Sequence, residues 1–340
     1  MQTKQRTLGG LRVYKDIKPV KDVPDKITVD WLLDNVDLTF QGYTPSIVAI
    51  EFFNFIRLTL GEEPENENSL AHYFLVDVIF MQDTVRDYLV ARGINYDKIK
   101  GRTAVLCCRE FAKSTIIGSF VPLYMAWKGE LPGFGKVNYG LYVGDSMRNN
   151  VKTTMNTIEQ VYLESEWLQT QFESARFTDG LVELVRLPRT AGEIALYEST
   201  IAAGKKPTQV PGRSKRKFAM RGVGAQTGTR GTRSGLQRPQ FAIIDDVVPS
   251  EAEANSDTIL EGIESTIESD VLNALHGAGS FAILIGTPYN KKDPVYSRVE
   301  SKTWVPVVFP ICESIHEDML PNEFRGVWEN RHSYSKVMKR

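Results

Sequence analysis

The spacing of apolar residues along this chain changes near residue 103. Before it, two stretches repeat apolar positions at helical spacing. One is opened by Pro45 and Ser46 and runs to Leu60; the other is opened by Ser69 and puts Leu70, Phe74, Val78 and Met81 on one face. Beyond residue 103, short apolar runs at 103–107, 140–143, 241–244 and 281–285 alternate with helical patterns at 113–127, 147–164 and 257–275. Strands too apolar for one wet face, each followed by a helix, predict a mainly parallel sheet covered on both sides. The expected fold class is α/β. Residues 1–28 are mixed polar and basic, with Pro19 and Pro24, and read as a loose arm. The organisation expected is an arm or lead-in over 1–40, a helical lid subdomain over 41–98, a sheet-based core over 99–325, and the start of a linker over 326–340.

Composition narrows the class. At 340 residues, with 42% hydrophobic and 24% charged residues, the chain holds one large core with excursions or two domains, and it is not a disordered polypeptide. The three cysteines, two of them the adjacent Cys107 and Cys108, offer neither a disulfide framework nor a zinc pattern, which fits a reducing compartment. No apolar run approaches the roughly 18 residues of a membrane span, and no signal-peptide core is present, so a cytoplasmic, non-membrane protein is expected.

The net charge of −1 hides a sharp segregation. Between Gly204 and Ile244 there is no acid, but Lys205, Lys206, Arg213, Lys215, Arg216, Lys217, Arg221, Arg230, Arg233 and Arg238 are all basic. Between Pro239 and Asn290 there is no Lys or Arg, and the acids run from Asp245 and Asp246 to Asp270. A solvated face explains much of the 205–221 stretch. The glycine-rich GVGAQTGTRGTRSG, residues 222–235, carries Arg230 and Arg233 on a pliant backbone suited to closing on phosphate.

Three motifs carry chemistry. In TAVLCCREFAKST an apolar strand precedes Arg109, Glu110, Phe111, Ala112, Lys113, Ser114 and Thr115, and a helix follows: the strand–loop–helix order of a P-loop. Amides at the helix start cradle phosphate oxygens, the lysine reaches the β- and γ-phosphates, and the hydroxyl holds Mg²⁺. Lys113 and Ser114 occupy those positions, while Cys107 and Ala112 replace the two glycines of GxxxxGK[ST]. Second, FAIIDD ends an apolar strand in Asp245 and Asp246, where an acid would hold Mg²⁺ and a neighbour would polarise the attacking water. Third, FAILIGTP ends another strand in Gly286, Thr287 and Pro288, placing Thr287 within reach of a γ-phosphate. Each has a bland alternative, namely a surface lysine, a polar turn, and a Gly-Pro turn.

In this order, REFAKST, the arginine-bearing glycine-rich loop, RPQFAIIDD and ILIGTP together resemble the ATPase domain of the tailed-bacteriophage terminase large subunit, the DNA-packaging motor. The resemblance covers about residues 40–335. It implies a RecA-like, ASCE-type P-loop NTPase that hydrolyses ATP with Mg²⁺ to drive double-stranded DNA into a procapsid. It also implies portal protein and small terminase subunit as partners, a homo-oligomeric ring on the portal, and a location in the host cytoplasm at the procapsid portal vertex. Residues 109–115 match the phosphate loop, with Arg109 its arginine. Ser114 and Asp245 match the metal site, and Thr287 lies in the coupling motif. Arg230 and Arg233 match the loop that presents an arginine finger to a neighbouring subunit. Asp246 stands where the family usually carries a glutamate, so Glu251 or Glu253 is a second candidate for activating water. A family member would continue into a nuclease domain; the acids after Pro288 have no strand framework to converge them, and no nuclease activity is expected in this chain. The alternatives are another ASCE helicase or translocase, and a non-hydrolysing nucleic-acid-binding scaffold with a degenerate P-loop.

Overall fold

The computed structural model describes residues 6–8, 11–13, 23–61, 67–225, 238–275 and 280–339. An eight-stranded sheet organises it, built from β1 (Arg102–Cys107), β2 (Tyr139–Gly144), β3 (Phe172–Thr178), β4 (Leu181–Arg186), β5 (Lys217–Gly224), β6 (Phe241–Asp245), β7 (Phe281–Gly286) and β8 (Val305–Phe309). The spatial order is β8-β1-β7-β6-β2-β5-β4-β3. All neighbours from β8 to β5 are parallel; β4 and β3 are added antiparallel at one edge. The mainly parallel α/β sheet is the one that the alternation of apolar runs predicts.

Side chains of the central strands alternate between two cores, as the period of two requires. Val105, Cys107, Phe241, Ile243, Ile283 and Ile285 face the first core, with the helix beginning at Ser114 and the helices Ile47–Leu60 and Leu70–Ile79. Ala104, Leu106, Ala242, Ile244 and Leu284 face the second, with Asp257–Ser265 and Pro294–Val299. The N-terminal helices join the core through an aromatic seam: Phe52 and Phe55 of Ile47–Leu60 each lie 5.3 Å from Tyr124 on the helix Val121–Lys128, and Phe74 of Leu70–Ile79 lies 6.2 Å from Phe309 on β8.

Several elements depart from the sequence reading. β3 and β4 alternate buried and half-wet positions, so the search for apolar runs passes over them. β8 contains Pro306, which argues against a strand; it forms here because β8 is an edge strand with a ladder on one side only. The arm includes a short antiparallel pair, Arg6–Leu8 with Leu11–Val13, and the lead-in includes the helix Val29–Asp34. The helix after residues 109–113 is not uniform: Ser114–Phe120 is a π-helical turn that passes into the α-helix Val121–Lys128. Pro122, at the junction, has no N–H to give to an i−4 carbonyl, and a change of helical register there absorbs the missing bond. No described helix is long and apolar enough to cross a membrane.

Candidate functional site

The chain leaves β1 towards β6 and β2 on one face, and leaves adjacent β7 towards β8 by the other face. Between β1 and β7 the winding therefore reverses, and a crevice opens at their carboxyl ends, the place where open α/β sheets bind ligands. A cavity of about 520 Å³ lies there, lined by residues 109–115 together with Asp246, Val248, Pro249, Thr287 and Tyr289. The three motifs, far apart in sequence, thus border one space, because β7 inserts between the loop-bearing strand and the acid-bearing strand.

The loop is held in a strained shape. Glu110 (φ 60°) and Ala112 (φ 58°) lie in the left-handed region, which costs a residue with a Cβ about 1–2 kcal/mol. Ala112 occupies the second-glycine position of the motif, so the conformation that glycine usually supplies is kept without it. Packing from behind enforces it. Phe111 is fully buried, stacked on His72 at 4.5 Å and on Phe309 at 4.8 Å, while Arg331 pairs with Glu110 at 3.5 Å. His72 also places its Nε2 3.3 Å from the Phe111 carbonyl, and burial pushes its pKa down to about 4, so it is a neutral prop beneath the loop and does not line the cavity. Arg109 lies over the Tyr289 ring at 5.7 Å.

Lys113 forms a hydrogen-bonded ion pair with Asp246 and sits 3.6 Å from Asp245 Oδ1. Burial alone would lower the pKa of the ammonium; the two carboxylates outweigh burial and raise it above the usual lysine value. Asp245 is 1% exposed. Burial pushes its carboxyl up, opposed chiefly by Lys113, while Asp246 adds to the rise and the Ser114 and Tyr142 hydroxyls counter it. Its Oδ1 is buried without a hydrogen-bond partner. Asp246 has φ 43°, which turns its carboxylate into the cavity, where Oδ1 accepts from the Thr287 N–H at 3.2 Å. The Thr287 hydroxyl donates to the Cys107 carbonyl at 3.0 Å, so it ties β7 to β1 and does not point into the cavity.

Glu251 and Glu253 open the short helix Glu251–Ala254 and do not line the cavity. Arg230 and Arg233 lie outside the described residues; the chain leaves the sheet towards them at Ala225, on the same carboxyl edge as the cavity. Burial raises the Cys107 and Cys108 thiols, the latter to about 12, so the nearby arginine does not make either a thiolate. Part of the basic run is consumed internally: Arg213 and Arg216 both pair with the buried Glu173, and Lys217 pairs with Glu183.

The donor set fits a nucleotide with Mg²⁺. Among the described residues no cluster of three or more His, Cys, Asp or Glu could hold a metal by itself. Mg²⁺ is ordinarily held by one or two carboxylates plus substrate phosphates and water, and an orphaned Asp245 Oδ1 beside the Ser114 hydroxyl suits that economy. Sequence reasoning missed Tyr142, Asn150 and Thr154, which hold Asp245 from behind. The signal was Tyr142 in the interior of the buried strand YGLYVG, since a buried tyrosine hydroxyl usually finds a partner.

Asp293 is the N-cap of Pro294–Val299, accepting from the Val295 N–H at 3.1 Å. Burial moves its pKa from 3.8 to about 6; the charges of Asp246 and Glu264 add to this, and the Val295 and Tyr289 amides oppose it. The folded protein therefore holds a proton that the unfolded chain releases near pH 4, and stability from this group falls as pH rises from about 4 to 6. Asp293→Asn keeps the capping oxygen and removes the charge. It is expected to stabilise by about 1–3 kcal/mol at pH 7 and to change little at pH 4, read by denaturant unfolding at both pH values.

No protein-family model matches the chain, and no curated protein matches it. Among solved structures, the chain is similar to the ATPase domain of the Thermus phage P74-26 large terminase, at 13% identity over 69% of each chain with a TM-score of 0.38. It is similar also to an arginine-to-alanine mutant of that domain, at 12% identity over 69% of each chain with a TM-score of 0.34.

Proposed function

We propose that this chain is the ATP-hydrolysing motor domain of a viral terminase large subunit, driving double-stranded DNA into a procapsid. The observation that carries the enzymatic reading is the convergence of Lys113, Asp246 and Thr287 on one cavity at the switch point of a parallel sheet, with the buried Asp245 3.6 Å from Lys113. Phosphates enter along residues 109–115, and Lys113 exchanges Asp246 for the β- and γ-phosphates. Ser114 and Asp245 would hold Mg²⁺, which when bound neutralises charge on the phosphoryl oxygens. Asp246, freed from Lys113, orients the attacking water. Arg109 leaves the Tyr289 ring to meet phosphate, and Arg230 or Arg233 of a neighbouring subunit completes the site, so activity requires assembly. The motor reading rests on the ordered motif set, and with it come double-stranded DNA, a homo-oligomeric ring on the portal, the portal protein and small terminase subunit, and the portal vertex in the host cytoplasm.

The test is ATP hydrolysis with Mg²⁺ across a wide series of protein concentrations, for the wild type, Asp246→Asn and Glu251→Gln. Turnover rising more steeply than linearly with concentration is expected, with Asp246→Asn losing turnover and Glu251→Gln retaining it. The reverse pattern would assign water activation to Glu251. Salt-sensitive DNA binding with no nucleotide binding at all would leave the scaffold reading standing instead.

A further inference from the structure

Asp245 is gripped from the side away from the cavity. Its Oδ2 accepts from the Tyr142 hydroxyl at 3.0 Å, and its backbone carbonyl accepts from Asn150 Nδ2 at 2.9 Å. That second bond turns Asn150 Oδ1 towards Tyr142, whose single hydroxyl proton is shared between Asn150 Oδ1 at 2.7 Å and Asp245 Oδ2, while Thr154 Oγ1 donates to the phenol oxygen at 2.9 Å. Asn150 is itself fixed by its backbone N–H on Asp145 Oδ1 at 3.2 Å. Tyr142 is fully buried, and the helix beginning at Ser114 packs against it: the Cβ direction of Gly118 faces the Tyr142 ring, the Thr154 methyl and Asp245 Oδ2. A carboxylate in a crevice can rotate to offer either oxygen or both. Here one oxygen is occupied, and the other, Oδ1, is left buried without a hydrogen-bond partner, 3.6 Å from Lys113.

We infer that Tyr142 and Asn150 are positioning residues for a metal-binding carboxylate, holding Asp245 so that Oδ1 alone is presented to a divalent cation beside Lys113 and Ser114. The inference rests on the nucleotide-site reading and adds to it the part of β2 and of the following turn. Neither residue lines the cavity. Groups that orient a metal ligand in this way typically change metal affinity by about 10- to 100-fold when removed. Tyr142→Phe removes only the hydroxyl and keeps the ring in the core; Asn150→Ala alters a half-buried side chain at the start of a helix.

The experiment uses the whole chain, with Mn²⁺ as the probe. Electron paramagnetic resonance of free Mn²⁺ gives its affinity in the presence of a non-hydrolysable ATP analogue, and nucleotide binding is measured separately in EDTA. Tyr142→Phe and Asn150→Ala are expected to weaken Mn²⁺ by about 10- to 100-fold while metal-free nucleotide binding stays within about twofold. A merely structural role would lower both together, and that result overturns the inference. So does Mn²⁺ affinity within about twofold of wild type in either variant that melts as a folded protein. If the wild type itself binds no nucleotide and no Mn²⁺, the nucleotide-site reading falls and the inference with it; a wild type that binds both, with variants that match it, sinks the inference alone.

Discussion

Lys113→Ala is expected to lower ATP turnover by at least about 10²–10³-fold, the scale on which a fixed charge aimed at a transition state contributes. The same change should disturb the resting protein. Lys113 is the neighbour that balances a fully buried Asp245 and pairs with Asp246. Without it Asp245 must take up a proton or remain an uncompensated buried charge, and breaking such a pair costs about 3–5 kcal/mol when no proton is taken up. The Asp245 pKa, already raised by burial, then climbs further, so the destabilisation of Lys113→Ala is small at low pH and grows as pH rises through that value. Asp245→Asn in the Lys113→Ala background removes the stranded charge and should restore stability without restoring turnover. Denaturant unfolding at several pH values, alongside ATP hydrolysis, separates the two effects. If Lys113→Ala turns over ATP like the wild type, the loop is not a phosphate site; if its stability loss is the same at every pH, the counter-ion role of Lys113 is wrong.

The largest effect on folding is expected at Gly140. It pairs with Phe241 across the β2–β6 ladder, and a Cβ at Gly140 would lie 1.9 Å from the Phe241 ring. The ring cannot give way easily, because it is fully buried and stacked on Phe218 at 5.8 Å. Gly140→Ala is therefore expected to cost about 3 kcal/mol, at the top of the usual range for overpacking, and Gly140→Val to prevent folding. Phe241→Leu should partly relieve Gly140→Ala, which marks the ring as the obstacle. Urea unfolding of the single and double variants tests this, and a Gly140→Ala protein as stable as wild type would show that the ladder can open there at no cost.

How much of this was legible in the sequence depended on whether the signal was local. β1, β2, β6 and β7 announced themselves because strands buried on both faces have no polar partner phase to confuse them. The strands at the β3 edge and β8 did not, since half-wet alternation and a proline are weak local signals that only the finished sheet resolves. The same divide runs through the site. Lys113, Ser114, Asp245, Asp246 and Thr287 were readable from motif order, and all but Asp245 line the cavity. That Thr287 uses its hydroxyl on Cys107, that Asp246 and not Glu251 reaches Lys113, and that Tyr142 grips Asp245 are consequences of strand order, which no local pattern encodes. The basic run misled for a related reason: a stretch of like charge reads as one surface, yet Arg213 and Arg216 turn inward to a single buried acid, Glu173, some forty residues upstream.

Thr287 holds one wall of the crevice with its hydroxyl, at Cys107, and the other with its amide, at Asp246. A residue stapled to both jaws cannot follow one without letting go of the other. Small displacements of either jaw are resisted by both bonds together, and a displacement large enough to break one leaves the second carrying the whole load. The crevice floor should therefore respond to strain as a catch that either holds or releases, with a threshold set by two hydrogen bonds.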